Sequence, residues 1–551
     1  MSGNITFAGT ATQAKLTSTG ASTIYVGGNL TSGGTLTTSG TGTIIFNGSA
    51  NQGIGAYTTY NNVTISSTGG IASTTGAVTI GGALTVTDGE LDITGNNTTI
   101  TGATDIQNGG TLKITSTSGT HTFTGDVTVE NGGTYNDSIN EAIAYSGSFT
   151  NNGSFISGTA AHTFSGTGKT LNGSSTFASL AISGTTQNNG STTVTTTLGG
   201  TSTLTNAAGA YLAFGGSSVT PTLAVTASGN TVNYYGGTQT IKATTYYNLI
   251  LSGSSTKTVT SVTTINGSFT ISGSAAATSV VTTLGANLNI LGTAQLTLGA
   301  ALTVPGNLTV GDGSAASLIT GNFAFTVNGT TTIAANAFFD HNGTQAVTLN
   351  GDVTLLGCIS KNTGCANAST GTGKMTVGGN VLGSGSATLS ANTFEFNGTG
   401  VFSPSGIWTF DNLNIGNNTA ATTTFSNTAT ATVSGVLTIG STSILNGTGS
   451  LTVAGGSVTG NGSIDLPGGT FEVNGTGNFG GSGAWAFNNL NIGNGATAVT
   501  TLIALGTTTI SGILSIGPTS TLNLATSTLV LASSGTPLVN NGTFNTASST
   551  V

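Results

Sequence analysis

Two stretches near the C-terminus decide the fold. Phe394-Glu-Phe-Asn-Gly-Thr-Gly is followed by Trp408-Thr-Phe-Asp-Asn-Leu-Asn-Ile-Gly, and Phe471-Glu-Val-Asn-Gly-Thr-Gly is followed by Trp485-Ala-Phe-Asn-Asn-Leu-Asn-Ile-Gly. The offset between the two phenylalanines is 77, and the offset between the two tryptophans is the same. An internal repeat of this kind indicates an architecture built from stacked units.

Degenerate copies of the aromatic-x-Asn motif occur further upstream, one of them with Ser179 in place of the asparagine. In Trp408-Thr-Phe410 the two rings point to one face of a strand, and in this apolar context we expect that face to be the core. An exposed sugar-binding platform is the alternative. The motif residues are Tyr60, Asn62, Phe177, Tyr246, Asn248, Trp408, Phe410, Asn412, Trp485, Phe487 and Asn489.

A finer period lies inside the long repeat. A turn-like Gly, a polar residue and an apolar-Thr-apolar triplet recur, as in Gly267-Ser-Phe-Thr-Ile and Gly306-Asn-Leu-Thr-Val. Phe269, Leu288 and Leu308 follow one another at intervals of 19 and 20. This spacing predicts turns of about 20 residues, four turns in each 77-residue repeat and roughly 27 turns in the chain.

These patterns predict an all-β chain, because short alternating strands separated by Gly and Asn-Gly turns dominate it. We expect a parallel β-helix (β-solenoid) with a 77-residue super-repeat, and tandem Ig-like β-sandwiches are the alternative. Residues 1–551 are interpreted as one continuous solenoid. Its super-repeats are clearest at 394–470 and 471–547, with a looped-out insertion near 357–373.

The composition excludes several classes of protein. Only 4% of the 551 residues are charged, the net charge is −8, and 89 residues are glycine. A nucleic-acid binder needs a basic surface, and collagen needs a strict Gly-x-y period, so neither class fits. No apolar run is long enough for a membrane span. In a stack of turns about 4.8 Å apart, like charges would repel, whereas Thr, Ser and Asn can bond to their counterparts.

The aromatic-x-Asn-Leu-x-Ile-x-Gly copies and the run from Ser527 to Asn545 resemble repetitive bacterial surface proteins of the adhesin-like, filamentous-haemagglutinin-like β-helix type. The resemblance covers nearly the whole chain and is made of low-complexity β-repeats. It implies an extracellular rod or filament subunit displayed on the cell surface.

Both ends of the sequence lie within the repeat pattern, and the start at Met1 has no signal peptide. We expect a processed or trimmed chain, which is either a fragment or a subunit whose ends are capped by its neighbours.

Cys358 and Cys365 are the only cysteines. A disulfide within the insertion suits an oxidising, extracellular location. Two free thiols are the alternative, and a metal site would need more ligands.

Asp88-Gly-Glu90-Leu-Asp92 is the densest group of carboxylates. Alternate residues of a strand share a face, so these three side chains are a candidate Ca²⁺ site, with a solvated turn as the alternative. No other cofactor is expected. His121 and His162 share the pattern His-Thr-Phe and are interpreted as one structural position of the turn, whereas His341 stands alone.

The sequence therefore predicts a non-enzymatic structural protein that forms or decorates a cell-surface fibre, layer or adhesive stalk by self-assembly. Its expected partners are copies of itself, and a polysaccharide or cell-surface ligand is a second candidate. The alternative function is a binding module with a flat Thr-rich face for polysaccharide or ice, although the Thr-x-Thr pairs do not recur in register. A polysaccharide-active enzyme ranks third, because no acid–base group of carboxylates with a cation or histidine is visible.

Overall fold

A computed structural model describes residues 4–7, 15–18, 20–115, 118–362, 364–416, 419–429, 431–503, 506–547 and 549–551. The first three residues, on which the signal-peptide prediction depends, lie outside this set. The described residues contain no helix, are 54% strand, and form a β-solenoid of about 26 turns. They belong to two compact units, Met1–Ile250 and Leu251–Val551, each of which is a stack of parallel strands.

Most turns of unit 2 have three short strands. In one turn these are Leu308–Val310, Ser317–Ile319 and Phe325–Val327, which we call the first, second and third faces. Each strand pairs in parallel with the strand at the same place in the next turn, as Leu308 does with Thr331. The strands of an Ig-like sandwich are antiparallel, so the sandwich alternative was wrong.

The first-face strands of unit 2 share this pairing and are Phe269–Ile271, Leu288–Ile290, Leu308–Val310, Thr331–Ile333, Val353–Leu355, Val381–Gly383, Thr399–Pro404, Thr422–Phe425, Ile444–Gly447, Thr507–Ile510 and Thr528–Leu531. The second-face strands are Ser254–Val259, Ser274–Ser279, Gln295–Leu298, Ser317–Ile319, Phe338–Asp340, Cys358–Ile359, Ser386–Thr388, Trp408–Phe410, Ala431–Val433, Leu451–Val453, Leu514–Ile516 and Leu538–Asn540.

The third-face strands are Thr264–Ile265, Thr283–Leu284, Leu302–Val304, Phe325–Val327, Val347–Leu349, Met375–Val377, Thr393–Phe396, Asn412–Ile415, Val436–Ile439, Ser457–Gly460, Gly477–Gly480, Val499–Leu502, Thr521–Leu524 and Thr543–Asn545. Two longer strands, Ser463–Val473 and Trp485–Ile492, run through the first and second faces.

Unit 1 is built in the same way. One of its turns consists of Val127–Val129 (first face), Thr134–Asp137 (second) and Ile143–Tyr145 (third). In chain order its strands are Lys15–Ser18, Thr23–Val26, Thr35–Thr38, Thr43–Phe46, Gln52–Ile54, Asn62–Thr74, Val78–Ile80, Leu84–Ile93, Thr98–Ile100, Thr104–Ile106, Gly110–Ile114, His121–Phe123, Val127–Val129, Thr134–Asp137, Ile143–Tyr145, Phe149–Asn151, Ser154–Ser157, Ala161–Phe164, Lys169–Ile182, Thr186–Asn188, Ser191–Gly200, Thr203–Asn206, Tyr211–Phe214, Thr222–Ala224, Thr231–Tyr234, Gln239–Thr240 and the boundary strand Asn248–Leu251.

The apolar-Thr-apolar triplet explains the core. In Leu308-Thr-Val310 the two apolar side chains are buried and the threonine between them points outward. Stacking such triplets in register places apolar residues above one another inside each unit, where burial removes them from water.

The 77-residue repeat does not contain four whole turns, as the sequence had predicted. Phe394 lies on the third face and Phe471 on the second, while Trp408 lies on the second face and Trp485 on the first. The repeat spans three turns and two faces of a fourth. The second of these two copies is therefore displaced by one face from the first.

Candidate functional site

The rings of the aromatic-x-Asn motif are buried. Tyr60, Phe177, Tyr246, Trp408 and Trp485 are at most 2% exposed, and Phe410 and Phe487 are equally inaccessible. The rings therefore contribute to the core, and they are not an exposed platform for sugars. Aromatic side chains of this size are among the largest single contributors of buried apolar area.

The two C-terminal copies build the same aromatic cluster on different faces. In the first, Trp408 makes edge contacts with Phe394 and Phe402 at centroid distances of 5.9 and 5.2 Å. In the second, Trp485 contacts Phe479 at 5.1 Å. In both clusters the rings come from all three faces of a turn, so they tie the faces together through the core.

The asparagine of the motif joins one turn to the next. Its Oδ1 accepts a backbone N–H from the following turn: Asn62 from Ala83 at 2.8 Å, Asn412 from Val436 at 2.9 Å and Asn489 from Ile513 at 3.0 Å. Asn248 donates to the Thr231 hydroxyl at 3.5 Å. Sequence analysis identified the motif but missed this role, which further asparagine and aspartate residues share: Asn29, Asn97, Asp126, Asn287, Asn307, Asp352 and Asn380.

The two cysteines are joined by a disulfide, with their Cα atoms 5.3 Å apart. Cys358 lies in a second-face strand, and the turn that contains it is long, since Val353 of one first-face strand pairs with Val381 of the next. The extra residues follow Ile359 and precede the next third-face strand, which begins at Met375.

The insertion folds back over two buried ionisable residues. The Ser369 hydroxyl donates to Asp340 Oδ1 at 3.1 Å, and His341 Nε2 donates to the Gly373 carbonyl at 2.8 Å. Burial raises the pKa of the Asp340 carboxyl and lowers that of the His341 imidazole. His341, which stood alone in the sequence, is thus held by the insertion.

The three carboxylates of the candidate Ca²⁺ site have separate partners. Asp88 accepts the Gly89 N–H at 2.9 Å, Glu90 faces the Lys113 ammonium at 3.6 Å, and Asp92 accepts the Thr115 hydroxyl at 2.6 Å. Gly89 has a positive φ of 76°, and a Cβ there would lie 2.1 Å from the Ser67 carbonyl oxygen. In the described part of the chain, no three His, Cys, Asp or Glu side chains are arranged to hold a metal ion.

His121 and His162 occupy the same column of unit 1. His121 pairs with Ile143, which pairs with His162 in the next turn, and all three side chains point into the core. Asp137, which the sequence pattern did not indicate, is buried beside this column, and its Oδ2 lies 3.2 Å from His162 Nε2. The local sequence Thr-Tyr-Asn-Asp137 does not indicate that the carboxylate points into the core. Its partner, His162, belongs to the following turn.

Threonines form a continuous column at the outward positions of the third face of unit 2. One threonine per turn stands directly above the last, and the column consists of Thr264, Thr283, Thr303, Thr326, Thr348 and Thr376, the last of which is buried. Thr-x-Thr pairs in the sequence do not indicate this column, because each of these strands contributes only one outward threonine.

No family model, curated protein or solved structure matches the chain. Across the described ranges, no helix is long and apolar enough to cross a membrane. The fold and the contacts of the chain itself therefore carry the argument about function.

The two tryptophans offer a matched test of the aromatic cluster. Trp485 Nε1 donates to the Gly462 carbonyl at 3.0 Å, whereas Trp408 Nε1 is buried and has no hydrogen-bond partner among the described residues. Trp485→Phe should lower the free energy of unfolding by about 1 kcal/mol more than Trp408→Phe, since only the first loses a hydrogen bond. Urea unfolding of both variants measures the difference, and equal losses would contradict the assigned bond.

Proposed function

We propose that the chain is a non-enzymatic, extracellular structural protein of the adhesin-like β-helix type, which forms or decorates a fibre, layer or stalk on the bacterial cell surface. The observation that carries this proposal is the way successive turns are joined. Backbone pairing and like-on-like side chains connect them, as in the column from Thr264 to Thr376.

A stack of parallel strands with few charges favours association with copies of itself. Strand edges are a template for pairing with another chain, and charged side chains are the usual means of preventing it. Here the described residues contain two lysine–glutamate ion pairs and one buried contact between His162 and Asp137. A turn at the end of any such stack would meet little electrostatic repulsion from a second copy.

Self-assembly can be tested on the purified full chain. We expect filaments or sheets in negative-stain electron microscopy, with a polymer fraction in sedimentation velocity that grows with protein concentration. Antibody labelling of the source cells should place the protein on their surface. Monomers at all concentrations together with no surface labelling would contradict the proposal.

The threonine column supports a second candidate function, binding to a regular solid such as crystalline polysaccharide or ice. Thr283 and Thr303 are exposed, and Thr264, Thr326 and Thr348 are half-buried, so hydroxyl and methyl groups recur about every 4.8 Å along the face. A regular, weakly charged row of this kind complements the surface of a crystal.

A pair of single substitutions tests this second function. Thr326→Lys places a charge in the third-face column, and Thr332→Lys places the same charge on the outward position of the adjacent first-face strand. Binding to crystalline chitin or cellulose, or thermal hysteresis, should be lost in Thr326→Lys and kept in Thr332→Lys. Absence of all three activities in the unsubstituted protein would exclude the function.

A further inference from the structure

One section of unit 1 has ionisable side chains where the fold otherwise places apolar ones. Between residues 121 and 164, five inward positions carry titratable groups that are at most 1% exposed. They are His121, Tyr135, Asp137, Tyr145 and His162, which we call the Asp137 cluster. Burying such groups costs free energy unless each one is paired, so their arrangement decides how the section responds to pH.

Hydrogen bonds link three members of the cluster. The Tyr145 hydroxyl lies 3.1 Å from the Tyr135 hydroxyl oxygen and 3.2 Å from His162 Nδ1. Burial raises the pKa of both tyrosines, so neither hydroxyl ionises near neutral pH.

The other nitrogen of His162 faces Asp137. His162 Nε2 lies 3.2 Å from Asp137 Oδ2, so the buried carboxyl has a histidine partner inside the core. Removal of His162 would leave Asp137 in the core without that partner.

His121 lies in the same column as His162 but has no comparable partner. Neither of its ring nitrogens has a hydrogen-bond partner among the described residues, and its column neighbours are Thr98 and Ile143. Burial lowers the pKa of the His121 imidazole, and attraction by Asp137 only partly offsets this. His121 is therefore uncharged near neutral pH.

We propose that the Asp137 cluster is an acid-sensitive section of unit 1, at which protonation of His121 opens the core between residues 121 and 164. A proton on His121 would place a positive charge in the core, on a ring with no hydrogen-bond partner among the described residues. The carboxyl that acts on it is Asp137, which already has His162 as its partner. The remaining carboxyls between residues 121 and 164 lie outside the core, since Asp126 and Glu130 are exposed and Glu141 is half-buried.

The sign of the pH dependence follows from linkage. The folded pKa of His121 is below its unfolded value of about 6.5, so the unfolded chain binds more protons once the pH falls below that value. The stability of the section is fully present above about pH 6.5 and falls as the solution becomes more acidic. The equilibrium constant for opening should rise roughly tenfold for each pH unit of acidification, until the folded pKa of His121 is reached.

Hydrogen exchange of the full chain between pH 7.5 and 4.5, corrected for intrinsic rates, tests the proposal. Peptides from 121–164 should lose protection below about pH 6.5, while peptides from 62–93 in the same unit keep theirs. His121→Ile, which copies Ile143 of the same column, should abolish the acid-induced loss of protection. His341→Gln, which alters a buried histidine of unit 2, should leave the acid-induced loss of protection in 121–164 unchanged.

Protection of 121–164 that does not change with pH, or that falls equally in His121→Ile, would overturn the proposal. If His121→Ile does not fold, the unsubstituted protein decides the question. An acid-induced loss confined to 121–164 supports the proposal, and a uniform loss throughout unit 1 contradicts it.

Discussion

The structure depends on parallel stacking in register, which places each side chain about 4.8 Å from its counterpart in the next turn. Inward positions become columns of apolar residues, and outward positions become columns of threonine and asparagine. Opposite charges can be placed on adjacent turns, as with Glu90 and Lys113. The low charge content of the chain is a consequence of this geometry.

The same constraint explains the asparagines at the corners. A strand that ends at a corner leaves backbone N–H groups without a partner on the same face. Asn62, Asn412 and Asn489 supply a side-chain oxygen to the next turn at these places. Asparagine is suited to the position because it is short, uncharged and able to accept a bond while its neighbours turn.

Sequence patterns predicted the strands, the parallel solenoid and the short period of its turns. Each of these depends on the local alternation of apolar and polar residues and on the turn residues between strands. The patterns could not predict that Trp408 and Trp485 lie on different faces, since turns of unequal length hide the number of faces in a repeat. The column from Thr264 to Thr376 was missed because each strand contributes only one outward threonine, so no Thr-x-Thr pair marks it. Asp137 was missed because its environment is created by His162 in the following turn, which no local pattern records.

Departures from the repeat are the places where specific behaviour can arise. The insertion after Ile359 holds Asp340 and His341, and the Asp137 cluster replaces apolar residues in unit 1. Many other turns repeat the apolar-Thr-apolar triplet, which suits a structural role better than a localised chemical one. The proposal of a surface fibre rests on this uniformity.

The central claim is that residues far apart in sequence are stacked in register, and a distance in unit 2 tests it most directly. Thr264 and Thr348 are distant in sequence, but only four steps along the third face separate them. Spin labels at these two positions should give a narrow distance distribution centred at about 19 Å, which is four strand spacings, by double electron–electron resonance. A broad distribution, or a distance of several tens of ångströms, would contradict the stacked solenoid.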